Sequence, residues 1–158
     1  MQKKMSLILF SGDYDKALGA LILANSAREL DMDVNMFFGF WGLFLLRDPE
    51  KLSAKDKTSY EKMFAMITPK GPEALPLSKM NFSGLGKVLL KEMMKDDEAP
   101  PLEVFLKAAR NKGVNFYGCK LSMEVMGFKT DELIPEVKVI DAKGYIQDAC
   151  ESDIQLFI

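Results

Sequence analysis

The 158-residue chain predicts an α/β fold: a mainly parallel five-stranded sheet with helices on both faces. Two observations carry this reading. Short, predominantly apolar runs at residues 5–10 and 34–38, each with one polar residue (Ser6, Asn35), are of the kind expected for strands covered on both sides. They alternate with longer segments of helical period, so that strands are joined by crossovers and not by hairpins. A chain of this length fits a single domain, 1–158, and buries an adequate core without staples.

The elements follow in order. Residues 5–10 form the first strand. Ser11-Gly12-Asp13 then turns into a helix that starts near Tyr14, with Asp13 or Ser11 available as N-cap, and runs to about Leu30. Ala17, Leu18, Ala20, Leu21, Ala24 and Ala27 recur on its packing face, with Arg28 at a polar edge. Asp31-Met32-Asp33 closes the helix, and residues 34–38 make a second strand, parallel to the first through a right-handed crossover.

The apolar character continues from Gly39 to Leu46. The run is too short for a membrane helix, which needs about 20 residues. Gly39 and Gly42 signal close backbone packing. Phe40 and Trp41 stand at the strand's carboxyl end, as an aromatic wall for a crevice or as an interface patch; so much apolar surface favours an interface and hence an oligomer.

Residues 47–100 read as an insertion serving as lid plus interface, because long insertions on small α/β domains carry such roles. It holds a helix at 55–67 with Tyr60, Met63, Phe64 and Ile67 at helical spacing, a proline-punctuated loop at 69–80, and an amphipathic helix at 84–95. Pro101 opens a helix to Lys112 that Gly113 stops. Residues 114–118 are the third strand. The short helix after Cys119 spends Met123, Val125 and Met126 on packing and ends at Gly127. A capped turn at 130–133, a strand at 137–140, a helix at 144–152 and a closing strand at 154–158 complete the chain.

The composition excludes much chemistry. The chain contains no histidine, which removes serine–histidine and cysteine–histidine nucleophile pairs, histidine metal sites and histidine bases. Two cysteines are too few soft ligands for structural zinc, so no metal and no cofactor is expected. A net charge of −2 offers no general basic surface for nucleic acid. The cysteines form no Cys-x-x-Cys pair and suit a reducing compartment. Lys3 and Lys4 precede an apolar run, but Asp13 and Asp15 interrupt it too early for a signal peptide; the expected location is cytoplasmic, away from membranes.

Cys119 is the candidate nucleophile. It lies between a strand's carboxyl end and a helix start, and in open α/β sheets ligands gather outside the strand carboxyl ends. A helix amino terminus presents unpaired N–H groups and the positive end of the macrodipole, which suit an anionic sulfur, the reactive form of cysteine. Lys120 adds positive charge. The bland alternative is a small buried hydrophobe. Ser11-Gly12-Asp13 belongs at the same sheet edge; a lone glycine is a weak anion signal and Asp13 would repel phosphate, so a capped turn is the preferred reading. Cys150, late in the final helix, reads as core ahead of a resolving role.

Leu9-Phe10-Ser11-Gly12-Asp13, Asp15-Lys16-Ala17, Phe37-Phe38-Gly39-Phe40-Trp41-Gly42-Leu43, Leu77-Ser78-Lys79-Met80-Asn81 and Cys119-Lys120-Leu121-Ser122-Met123-Glu124-Val125-Met126-Gly127 together resemble the DsrE/DsrF-like sulfur-relay family, in particular its DsrE-family sulfurtransferase branch, also labelled peroxiredoxin-family protein. The likeness runs over nearly the whole chain. It implies a Rossmann-like three-layer sandwich, homo-oligomerisation and a persulfide-carrying cysteine that falls on Cys119. It also implies sulfur donor and acceptor proteins, or low-molecular-weight persulfides, as partners. Ser11, Gly12, Asp13, Phe40, Trp41, Lys120, Leu121 and Ser122 are the supporting positions. Gly39 stands where threonine is common and Leu121 where methionine is common; both departures bear on pocket shape and leave the nucleophile in place.

Rival classes fit less well. A peroxiredoxin has proline and threonine or serine before its cysteine, and residues 114–118 hold none of them. A rhodanese loop carries glycine and arginine, unlike residues 120–124. A small-ligand-binding module or a structural oligomer subunit, with Cys119 inert, is the non-enzymatic alternative.

Overall fold

The computed structural model describes residues 1–51 and 53–158. Its strands are β1 (Lys4–Leu9), β2 (Asp33–Phe38), β3 (Asn115–Cys119), β4 (Lys138–Ile140) and β5 (Ile154–Phe157). Its α-helices are α1 (Tyr14–Glu29), α2 (Leu43–Leu46), α3 (Ser59–Ile67), α4 (Leu85–Asp96), α5 (Leu102–Asn111), α6 (Lys120–Met126) and α7 (Ala142–Ala149). The strands pair in the order β4-β3-β2-β1-β5 and each pairing is parallel. The expected three-layer α/β sandwich is thus present, with a sheet that is wholly and not just mainly parallel.

Side-chain alternation divides the sheet into two unlike faces. On one, Met5, Leu7, Leu9, Val34, Met36, Phe38 and Phe116 are buried with Ala17, Ala20, Leu21 and Ala24 of α1 and Leu106 and Ala109 of α5. The other face carries Ser6, Ile8, Asn35, Phe37, Asn115, Tyr117 and Cys119, and α7 lies on it. Tyr145 of α7 stacks on Phe37 with ring centroids 4.8 Å apart. Asp148, one turn on, accepts hydrogen bonds from Ser6 Oγ at 2.9 Å, Asn35 Nδ2 at 2.8 Å and Lys4 Nζ at 2.5 Å. Burial alone would push the Asp148 carboxyl up; these donors outweigh it and hold the group below the usual carboxylate range.

The stretch after β2 divides between core and surface. Phe40–Gly42 is a 3₁₀ turn, and all four residues of α2 are buried. The interface expectation therefore narrows: Leu43–Leu46 belong to the core, while Trp41 stays 46% exposed. Gly42 is required here, because a β-carbon on it would lie 2.0 Å from the Leu9 carbonyl oxygen. Gly12 is similarly pressed against Trp41, whose carbonyl oxygen would be 2.8 Å from its β-carbon.

The insertion is anchored by buried polar groups that its pattern did not advertise. Arg47 is buried and donates from Nη1 to Thr68 Oγ1 at 2.8 Å and to the Pro69 carbonyl at 2.9 Å. Its guanidinium carbon lies 4.7 Å from the Phe128 ring centroid. Lys57 and Glu132 form a buried ion pair at 2.7 Å. Helix α3 begins at a capping box, Thr58 with Glu61, later than expected, and turns only Phe64 inward, against Trp41, Phe44 and Phe128. Lys87 ties α4 down through the carbonyls of Glu73 and Leu75. The outer faces of these helices leave Met63, Met66 and Ile67 of α3, and Leu85, Val88 and Met93 of α4, exposed. A short 3₁₀ turn, Pro72–Ala74, interrupts the expected loop.

Candidate functional site at the carboxyl edge of the sheet

Cys119 is the last residue of β3, one place later than the strand was expected to stop, and α6 opens at Lys120. The thiol is free and partly exposed. Gly127, with φ of 73°, takes the left-handed conformation that terminates α6. Within the helix Met123 and Met126 are buried, but Val125 is 62% exposed and does not pack as expected.

The parallel register identifies the neighbours of Cys119. It pairs with Ile140 of β4 on one side. On the other, Phe38 pairs with Gly118, so Gly39 follows alongside Cys119, and the Gly39 amide still donates to the Leu9 carbonyl at 3.1 Å. Alternation turns Gly39 and Cys119 to the same face, one strand spacing of about 4.8 Å apart. A β-carbon on Gly39 would have two atoms within 4 Å, Phe10 Cδ2 at 3.6 Å and Ser122 Oγ at 3.9 Å. Ser122 is 1% exposed, and its hydroxyl meets no hydrogen-bond partner among the described residues. Lys120 and Leu121 instead face outward, Leu121 being 63% exposed.

Phe40 joins this corner to a second one. Its φ of 43° is in the left-handed region, uncommon for a bulky residue and a cost of about 1–3 kcal/mol. Its ring centroid is 5.5 Å from that of Phe10 and 6.4 Å from that of Trp41. Beyond Trp41, a cavity of about 390 Å³ is lined by Ser11, Gly12, Asp13, Lys16 and Pro76. Asp13 occupies the N-cap position of α1, but its side chain makes no cap hydrogen bond and lies 3.7 Å from Lys16. The capping expectation is corrected on that point: the turn is held by backbone and by the Gly12–Trp41 contact. Trp41 also borders an apolar groove of about 410 Å³ with Tyr60, Met63 and Phe64 of α3 and Val125 and Met126 of α6.

The sequence-predicted residues thus fall into two groups. Ser122 and Phe10 approach Gly39, and the strand register sets Cys119 beside it; Ser11, Gly12, Asp13 and Trp41 surround the neighbouring cavity, which Cys119 does not line. Phe10 and Gly39 were not singled out as site residues, although counting two residues on from Phe37 places Gly39 on the Cys119 face. Cys150 is exposed and so does not belong to the core. It lies at the carboxyl end of α7, and the following strand starts with Ile154 paired to Met5, at the opposite end of the sheet. The five residues of β3 alone span about 13 Å between those ends.

Among the described residues no cluster of three or more histidine, cysteine, aspartate or glutamate side chains is placed to hold a metal ion. No helix among them is long and apolar enough to cross a membrane.

Comparison with known proteins adds a second line. The model of the DsrE/DsrF/DrsH-like family matches residues 1–157. The chain is 38% identical over 156 residues to "Uncharacterized protein YrkE" of Bacillus subtilis, covering 99% of this chain and 97% of that one. It is 27% identical over 157 residues to "Sulfur carrier protein DsrE2" of Allochromatium vinosum, covering 99% of each. Among solved structures, the YchN protein of E. coli superimposes with a TM-score of 0.57 over the full length of both chains at 14% identity, a likeness of fold.

Proposed function

The chain belongs to the DsrE/DsrF/DrsH-like family, and from that premise we propose that it is a sulfur carrier which holds sulfane sulfur as a persulfide on Cys119 and passes it to an acceptor thiol. The observation that carries this reading is the setting of Cys119, a free, partly exposed thiol at the carboxyl edge of a parallel sheet with a helix opening beside it. Cys150, exposed at the far end of the sheet, offers no nearby thiol to trap Cys119 in an intramolecular disulfide.

The chemistry requires no histidine. The Cys119 thiolate attacks the outer sulfur of a donor persulfide, a new S–S bond forms at Cys119, and the donor's S–S bond breaks to release a thiolate. An acceptor thiolate then attacks the outer sulfur, takes it, and releases Cys119 as thiolate. Each step exchanges one S–S bond for another, so no outside oxidant or reductant enters. First-turn N–H groups of α6, at Leu121 and Ser122, lack intrahelical acceptors and suit the anionic persulfide. The Ser122 hydroxyl makes no hydrogen bond among the described residues and can donate to the persulfide, Lys120 supplies nearby positive charge, and Phe40 and Trp41 limit access of water.

The exposed apolar faces of α3 and α4 support a homo-oligomer, with residues 47–100 as interface and lid. Sulfur donors and acceptors, as proteins or small persulfides, are the partners this chemistry needs, and a reducing cytoplasm is the matching location.

A second reading has one observation of its own: the cavity bounded by Ser11, Gly12, Asp13 and Trp41 excludes Cys119, as a non-enzymatic ligand-binding module would have it. Intact mass separates the two. After incubation with a persulfide donor, wild type and Cys150→Ser gain sulfur and Cys119→Ser does not. Equal loading of Cys119→Ser, or no loading with any donor, rejects the carrier reading. Lys120→Gln is expected to slow transfer to an acceptor thiol, and unchanged transfer removes Lys120 from the mechanism.

A further inference from the structure

We infer that the space left by the absent side chain of Gly39 is a subsite for a second sulfane sulfur, so that Cys119 takes sulfur from inorganic polysulfide and holds it as a chain of up to two sulfane atoms. The inference rests on the persulfide reading of Cys119.

Gly39 is a glycine the fold does not demand. Its φ of −116° and ψ of 144° are extended backbone open to any residue. A β-carbon there would meet its nearest neighbours at 3.6 and 3.9 Å, ordinary van der Waals separations. Gly42 and Gly12 are different, since a β-carbon on either would collide with backbone at 2.0 or 2.8 Å. Backbone and packing therefore account for those two and leave Gly39 unexplained. What the missing side chain leaves is a methyl-sized space on the face and in the row of Cys119, and a sulfur atom is about the size of a methyl group.

The dimensions suit a short sulfur chain. An S–S bond is about 2 Å long and its preferred torsion is near a right angle, so sulfane atoms added to Cys119 fold into a compact hook. Such a hook crosses the strand spacing of about 4.8 Å to the Gly39 position. The walls differ in chemistry in a way that fits a terminal sulfur anion. Phe10 presents a ring carbon 3.6 Å from the β-carbon position, an apolar wall. Ser122 presents a hydroxyl from a residue that is 1% exposed and has no hydrogen-bond partner among the described residues. A hydroxyl so placed can donate to an anion at the Gly39 position.

Polysulfide supplies both atoms without another reagent. Cys119 thiolate attacks a sulfane atom of a polysulfide dianion; one S–S bond forms, one breaks, and a dianion shorter by one sulfur leaves with the electron pair. The Cys119 persulfide anion then repeats the attack on a second polysulfide, extending the chain by one sulfur and releasing another shortened dianion. Charge balances in both steps and no proton is consumed.

The test is intact mass of wild type, Gly39→Ala, Gly39→Thr and Cys119→Ser after exposure to excess inorganic polysulfide and removal of unbound sulfur. Circular dichroism and thermal melting establish that each variant is folded. Wild type is expected to show species with one and with two added sulfur atoms, Gly39→Ala a smaller two-sulfur fraction, and Gly39→Thr the one-sulfur species alone. A wild type limited to one sulfur, or a folded Gly39→Thr that carries two as readily as wild type, overturns the subsite and leaves the carrier reading standing. Absence of loading in wild type, or equal loading of Cys119→Ser, overturns the carrier reading itself.

Discussion

Asp148 joins three elements beneath the candidate site, and its removal gives a prediction whose size can be worked out. Asn35 is buried and gives its amide to both carboxylate oxygens at 2.8 Å. In Asp148→Ala that donor loses its acceptor, a cost of about 2 kcal/mol for a buried unsatisfied group. Lys4 loses an ion pair whose side chains are 18% and 26% exposed, which adds about 1 kcal/mol after allowance for solvent screening. Ser6 adds little, because Ser152 Oγ remains 2.7 Å away. The sum is a loss of about 3 kcal/mol at pH 7. Asp148→Asn keeps a carbonyl for Asn35 and forfeits mainly the Lys4 pairing, a loss of about 1 kcal/mol. Urea unfolding at fixed protein concentration measures both as midpoint shifts at constant slope. The sign of the pH dependence is fixed as well. The folded-state pKa of Asp148 is depressed, so its contribution is fully present above the unfolded value of about 3.9 and is lost as pH falls through the folded value. Burial would lower Lys4, but the Asp148 hydrogen bond and charge raise it, so its share is fully present below about 10.4 and is lost as pH rises through the folded value. The gap between wild type and Asp148→Asn should therefore be widest between these limits. A loss below about 1 kcal/mol in Asp148→Ala, or equal losses in both variants, would refute the ledger.

Three further perturbations have definite outcomes. Gly42→Ala drives a β-carbon to 2.0 Å from the Leu9 carbonyl and should cost at least about 3 kcal/mol in a thermal or urea melt, whereas Gly39→Ala should stay within about 1 kcal/mol of wild type. Glu132→Gln leaves the Lys57 ammonium buried without a counter-charge and should cost about 3–5 kcal/mol by urea unfolding; a smaller loss would mean that water reaches the pair. Cys150→Ser is exposed and at the far sheet end, so stability should change by less than about 0.5 kcal/mol and sulfur loading by mass should match wild type.

Strand and helix order was legible because both periodicities are clean. Residues 5–10 and 34–38 are apolar except for Ser6 and Asn35, and α1 buries the alanines its spacing nominated. What escaped the pattern depends on partners distant in sequence. Nothing local to Cys150 marks it as exposed; its position follows from where α7 stops relative to β5. Val125 has an apolar side chain at a plausible packing position, yet α6 is short and turns Met123 and Met126 inward instead. The buried status of Arg47, Lys57 and Glu132 was invisible for the same reason, since a charge is affordable inside only where a partner arrives, and these partners are 21 to 75 residues away.

The candidate site shows how one alternation rule links these levels. Because every pairing is parallel, residues in register share a face, and the row of Cys119 can be followed across the sheet through Gly39 toward Phe10. The rows beneath it on the same face hold Phe37 and Tyr117, and then Ser6, Asn35 and Asn115, joined by Tyr145 and Asp148 to α7. The polar network therefore fixes the lower part of this face, and the carboxyl edge keeps a free thiol beside a residue with no side chain. A mutation in the network should lower stability while leaving the one-sulfur to two-sulfur ratio unchanged, whereas a side chain at Gly39 should do the reverse. That separation of stability from sulfur chain length distinguishes a shaped subsite from a general loosening of the sheet edge.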